Sequence, residues 1–249
     1  MTPTEKNTVA GPRKSTPSAV STALKVAIAL LMVDAVIELS FISSMVAWLN
    51  RTVIPNVFHF NYNGETYAIS GVPKDILTDQ GHTSNGAAGT AFVLIGLGGI
   101  VALWLRSWSQ HRAGDFATFG RNLYFVWVAL NILALFLTIG ALGYVFAVTN
   151  ARKGQTIDVA AAANLNGAHP YDLQSWTPQS WFAAVHRLDL VGSRYAIQSH
   201  LTVMRGWQYN LIPLFLIQLV ETVLAMWDCH NWRRKTQAVE YQGTSNGGW

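Results

Sequence analysis

Four stretches of this chain, 26–49, 88–107, 123–148 and 207–227, each run for twenty residues or more with almost no charge. A bilayer's hydrocarbon core is about 30 Å thick, and a helix rising about 1.5 Å per residue needs about 20 apolar residues to cross it. Backbone amides inside lipid find partners only within a helix or a closed barrel. Apolar runs of this length therefore specify an all-α integral membrane protein, a bundle of four transmembrane helices. The composition agrees: 12% of the 249 residues are charged, against about 25% in soluble domains. The first run exceeds a signal-peptide core and three more follow it, so it is expected to be a retained span.

Charge and cysteine content narrow the function classes. A net charge of +4, dispersed along the chain, is too weak for a nucleic-acid surface, and no such partner is expected. The single cysteine, Cys229, rules out an intrachain disulfide or a thiolate metal cluster.

Basic residues cluster at Lys6, Arg13, Lys14 and Lys25, at Arg106, Arg112 and Arg121, and at Arg233, Arg234 and Lys235. The positive-inside rule assigns these three regions to the cytoplasm, which puts both termini and the 108–122 connection inside. Loops 50–87 and 149–206 then lie outside. Residues 1–22 and 233–249 read as disordered cytoplasmic tails around one membrane domain, 23–232.

In the first outer loop, Phe58-His59-Phe60-Asn61-Tyr62 and Glu65-Thr66-Tyr67-Ala68-Ile69 flank Asn63-Gly64. Alternation around Asn-Gly predicts a small extracytoplasmic β-hairpin with a type I′ turn. Asn50-Arg51-Thr52 matches a glycosylation sequon, but it lies against the membrane exit, where use is not expected. In the second loop, Thr177-Pro178 reads as an N-cap followed by a first-turn proline. Trp181, Ala184, Val185, Leu188 and Val191 share one face, which predicts an amphipathic helix lying at the membrane interface. Another helical stretch, about 193–205, leads into the last span, and Trp176, Trp181 and Trp207 are expected in the interfacial aromatic belt.

The features that point to chemistry are polar groups within the spans. Asp34 and Glu38, four apart, share a face of the first helix. Asn131 and Thr138 share one on the third, and Asn210, Gln218 and Glu221 form a stripe on the last. Counting from the cytoplasmic ends puts Asp34 and Asn131 about 12 Å deep and Glu221 about 9 Å deep, so these groups are expected at one level. An isolated charge there costs about 3–15 kcal/mol, which predicts that they face one another. With no Lys, Arg or His at that depth, some of the carboxyls are expected to be protonated. Such a cluster can hydrogen-bond the helices together, donate or relay a proton, or hold a cation. Gly98 with Ala102, and Gly143 with Ala147, are expected to permit close helix packing. Pro213 is expected to kink the last span.

Beyond the spans the sequence is sparse. The seven histidines form no HxxH, HxH or HExxH pair, so neither metal nor cofactor is expected. No nucleophile elbow, phosphate loop or dinucleotide fingerprint occurs. His200 and Arg205, at the outer mouth of the last span, could meet an anionic headgroup or substrate. Cys229 is a conceivable lipidation site. The layout is similar to the tetraspan shape of claudin-like and MARVEL-type proteins, in topology alone. The claudin W…GLW…C…C pattern is absent, and no functional residue transfers.

Two functions fit. The first is an interaction or accessory component of a membrane, with the bilayer and a membrane protein as partners. The second is a membrane-embedded, cyclase- or isomerase-like enzyme acting on a lipophilic small molecule. Asp34, Glu38 and Glu221 would then be its acids, with Asn131, Gln218, Asn210, His200 and Arg205 around the substrate.

Overall fold

The structure, a computed structural model, describes residues 19–109 and 115–245. Most of the expected N-terminal tail, residues 246–249, and the basic residues Lys6, Arg13, Lys14 and Arg112 lie outside the described residues. In chain order the elements are α1 (Ala19–Trp48), a π-helical turn (Leu49–Val53), β1 (Val57–Tyr62), β2 (Glu65–Ser70) and α2 (Asp79–Thr90). A π-helical segment (Ala91–Leu97) joins α2 to α3 (Gly98–Ser109), and α4 (Asp115–Ala151), α5 (Val159–Leu165), α6 (Pro178–Val185) and α7 (Arg194–Ser245) follow. Four helical rods, Ala19–Val53, Asp79–Ser109, Thr118–Ala151 and Arg194–Arg234, are long and apolar enough to cross a membrane. α7 continues to Ser245, through most of the segment that composition marks as a disordered tail.

The rods pack through stripes with a seven-residue period. On α1 the buried positions include Leu24, Ile28, Leu31, Ala35 and Glu38, alternately four and three apart. On α7 they are Trp207, Leu211, Leu214, Gln218, Glu221, Ala225 and Asp228, with the same spacing. That repeat keeps one seam facing a neighbour along the whole helix, as in left-handed bundles. α1 packs chiefly on α7, α4 on α7, and α2 and α3 on α4. Away from the seam, Val26, Leu30, Leu133, Phe136, Leu216 and Val223 form the exposed apolar surface that a bilayer would cover.

Close packing falls at glycines other than the expected ones. A side chain at Gly99 would stand 2.7 Å from the Trp127 ring, and one at Gly96 would run into Met32. Gly98 makes only ordinary contact with Trp127, at 3.6 Å, and Gly143 has nothing within 4 Å. The π-helical segment rotates the rod by part of a turn, so Gly96 and Gly99 face neighbours. The same segment lets Trp127 Nε1 donate to the Ile95 carbonyl at 3.2 Å.

The two long loops form a second body. The hairpin has the expected register, Tyr62 opposite Glu65, with Asn63 and Gly64 at φ of 51° and 83° as a type I′ turn requires. Neither edge is open. The Asn61 amide donates to the Asp189 carbonyl and the Val191 amide to the His59 carbonyl, both at 2.8 Å. On the other edge, the Ala68 amide donates to Asn166 Oδ1 at 2.9 Å. The loops are stitched again where Lys74 donates to the Tyr171 carbonyl and Leu77 to the Trp176 carbonyl.

Within this loop domain the aromatic residues correct two expectations. α6 does begin with the predicted Thr177-Pro178 cap, as a reciprocal capping box with Ser180. It is not an interfacial helix, however: Trp181, Phe182, Ala184 and Val185 are buried among Phe58, Phe60, Tyr171 and Trp176. Trp176 and Trp181 are fully buried with ring centroids 5.3 Å apart, and Trp181 Nε1 donates to the Gly71 carbonyl at 2.7 Å. Trp207 is likewise interior, donating to Ser84 Oγ at 3.0 Å. None of the three belongs to an aromatic belt, because each indole N–H has a protein partner and each ring a packed one.

Candidate functional site

α7 runs antiparallel to α1 and α4, and among the described residues it carries more buried polar side chains than any other element. Near the hairpin end of the bundle, Asn210 Nδ2 donates to Glu38 Oε2 at 3.1 Å. Glu38 is fully buried, and its second oxygen has no partner. Asp34, one turn away on α1, is 9% exposed and also keeps one buried oxygen unpartnered. Farther along α7, the Thr138 hydroxyl donates to Gln218 Oε1 at 2.6 Å, which ties α4 to α7. Glu221 follows, fully buried, with neither oxygen in a hydrogen bond. The Thr222 hydroxyl beside it is close enough to act electrostatically but makes no hydrogen bond of acceptable geometry. Asn131 Nδ2 donates to its own helix at the Trp127 carbonyl, 2.9 Å away, and its oxygen is unpartnered.

All the intramembrane candidates except the half-buried Asn210 are therefore buried, yet they do not share one level. Glu38 is level with Asn210, and Asn210 and Glu221 are eleven residues apart on one helix, about 16 Å along the axis. Asp34, a turn from Glu38, is on the order of 10 Å from the height of Glu221. The groups form a ladder down α7 rather than a cluster. The expected depths count from the ends of apolar windows, and the helices extend past those windows by different amounts.

Below the ladder lies a group that sequence reasoning missed. Arg106 forms a buried ion pair with Asp228, joining α3 to α7. The Tyr124 hydroxyl donates to the same Asp228 oxygen at 2.8 Å, and the Arg106 guanidinium stands 4.6 Å from the Tyr124 ring centre. Arg106 reads in sequence as one more flanking cation, and Asp228 falls one residue past the apolar window. Their signal was periodic: Asp228 follows Glu221 by seven residues and so continues its stripe.

The outer pair separates. His200 stacks on Trp48, with ring centres 3.9 Å apart, and its Nδ1 is 2.8 Å from the Ala196 carbonyl. Arg205 is exposed. Cys229 is buried in the bundle core, a poor position for lipidation. Among the described residues, no group of three or more His, Cys, Asp or Glu side chains is arranged to hold a metal.

A cavity of about 490 Å³ opens where the bundle meets the loop domain. Its walls come from the last turns of α1, the first of α2, the ends of α4 and α6, and α7 near Trp207. Asp34, Glu38 and Glu221 do not line it. Comparison with protein-family models, with curated proteins and with solved structures finds no match for this chain.

Proposed function

We propose that this chain is a small multi-pass membrane protein acting as an interaction or accessory component, its helices holding a rigid loop domain at one face of the bilayer for contact with a membrane-protein partner. The observation that carries this reading is the interlocking of 50–87 with 149–206. Backbone bonds from Lys74 and Leu77 reach across to Tyr171 and Trp176, and both hairpin edges are capped. A body fixed in this way offers a preformed surface, which spares association the cost of ordering loops. On this reading the seam polar groups specify which helices pair and in what register.

We assign the loop domain to the extracytoplasmic side. Lys25, Arg106, Arg121, Arg233 and Arg234 all belong to the opposite end of the bundle, which the positive-inside rule keeps in the cytoplasm. In a Cys229→Ser background, an impermeant maleimide added to intact cells should label Asn63→Cys, and Arg234→Cys only after permeabilisation. The reverse pattern overturns the assignment.

The alternative, a cyclase- or isomerase-like enzyme, draws on one observation: both Glu221 oxygens are buried and unpartnered. Asp34→Asn, Glu38→Gln and Glu221→Gln separate the two readings when abundance and rescue of a deletion strain are measured together. An interaction component should rescue fully wherever abundance is normal, and should lose rescue with Lys74→Glu plus Arg187→Glu, both exposed on the loop domain. Failed rescue at normal abundance in any carboxyl variant favours the enzyme.

A further inference from the structure

The cavity at the junction of bundle and loop domain has a composition that selects a ligand. At about 490 Å³ it falls within the range of small-molecule sites, roughly 300–1,000 Å³. One wall is apolar, with Met45, Leu49, Met204 and Trp207. Two further wall residues, Val46 and Ile54, are about half exposed and belong to the apolar outer surface, so the wall is continuous with the face a bilayer would cover. The other wall is polar and carries two glutamines. Gln80 is 97% buried, and its Nε2 donates to the Leu77 carbonyl at 2.9 Å, which leaves Oε1 as a buried acceptor without a donor. Gln179 Oε1 is also a buried acceptor without a donor. Both oxygens are closed to a water-sized probe, so an occupant reaches one only when its amide turns toward the cavity. An unmet buried acceptor costs about 1–3 kcal/mol, and an O–H or N–H that satisfies it favours that turn. Among the described residues no Asp, Glu, Lys or Arg lines the cavity, and His82 is the one ionisable side chain there. A charged headgroup would therefore lose hydration with no countercharge to replace it.

We propose that this cavity binds an uncharged lipophilic alcohol, which enters from the bilayer past Val46 and Ile54 and donates its hydroxyl to a wall amide oxygen, Gln80 Oε1 first. The hydrocarbon part lies against Met45, Leu49, Met204 and Trp207. This site is independent of the interaction role proposed above, and either can fail without the other.

The test uses the full chain in phosphatidylcholine vesicles with a long-chain fatty alcohol carrying a diazirine in its chain, photolysed and mapped by peptide mass spectrometry. Adducts should appear on peptides containing Met45 and Met204, and excess plain fatty alcohol should compete them away. The fatty acid of equal length at about pH 9 or above, where it is ionised even in the bilayer, should not. Gly81→Leu is chosen to fill the site, because Gly81 lines it and a Cβ added there meets nothing within 4 Å. It should reduce cavity adducts about tenfold or more while adducts near the exposed Phe136 persist and the Tm matches wild type, which shows that the variant is inserted and folded. Gln80→Leu should lower alcohol labelling about tenfold, the loss expected from one unmade hydrogen bond. Adducts confined to exposed positions such as Phe136, cavity adducts unchanged by Gly81→Leu, or a fatty acid that competes as well as the alcohol would each overturn the proposal.

Discussion

The helix bundle leaves some of its tryptophans exposed and buries carboxyls and amides, and the loop domain does the reverse. Trp104 and Trp227, on the bundle, are 63% and 55% exposed, whereas Trp176 and Trp181, in the loop domain, are fully buried. Conversely, the bundle interior holds Glu38, Asn131, Gln218 and Glu221, while the loop-domain core is almost wholly apolar and aromatic. The surrounding solvent explains the contrast. In water, burying a large ring is itself the driving force. In a bilayer the outside is as apolar as the inside, so helices gain by close packing at glycines and by interhelical polar contacts. Polar residues in one core and tryptophans in the other thus do parallel work.

The comparison can be broken most directly by Trp181→Ala. Truncating a fully buried tryptophan costs about 3–5 kcal/mol, so the loop domain should become protease-sensitive and lose near-ultraviolet dichroism. Helical far-ultraviolet signal from the bundle should remain. If it disappears as well, the two bodies fold as one unit and the contrast fails.

Next in size is Arg106→Leu. Leaving Asp228 buried without its cation should destabilise the bundle by about 3 kcal/mol, read as a lower Tm in mild detergent. Arg106→Leu with Asp228→Leu should recover part of the loss, because it removes the stranded charge while leaving the Tyr124 hydroxyl without its acceptor. A double variant as weak as the single would show that the pair has another role.

Smaller again is Glu38→Ala, which removes the acceptor of the Asn210 amide and should cost about 1 kcal/mol, the scale of interhelical hydrogen bonds in lipid. Glu38→Gln should lie nearer wild type, since an amide oxygen can accept the same bond. A loss of several kcal/mol from the isostere would mean that the seam needs the acid itself.

Gly64→Ala should have an effect of similar size, about 1 kcal/mol. Its added methyl meets nothing, and only the positive φ of 83° opposes it. The loss should fall on the loop domain and leave the bundle's Tm unchanged.

How much was legible follows from range along the chain. The four spans could be read because length and apolarity act segment by segment, and the hairpin because Asn63 and Gly64 supply the two positive φ values themselves. The α6 cap was equally local. The interfacial role assigned to α6 was not, since its apolar face at Trp181 and Val185 suits a membrane surface or a protein core equally well. Only the packing of Phe58, Phe60 and Tyr171 against that face chooses between them.

The sequence alone determined that this chain has four membrane-length helices, a turn at Asn63-Gly64, and acidic and amide groups in stripes along three of the helices. Tertiary structure alone decided that these groups descend α7 as a ladder, that Arg106 meets Asp228 across 122 positions of chain, and that two loops close over a cavity. Propensity, turn chemistry and hydrophobic length are properties of neighbouring residues. Helix register and side-chain pairing depend on where separate segments stop sliding against one another, and that is set by the packing of the whole.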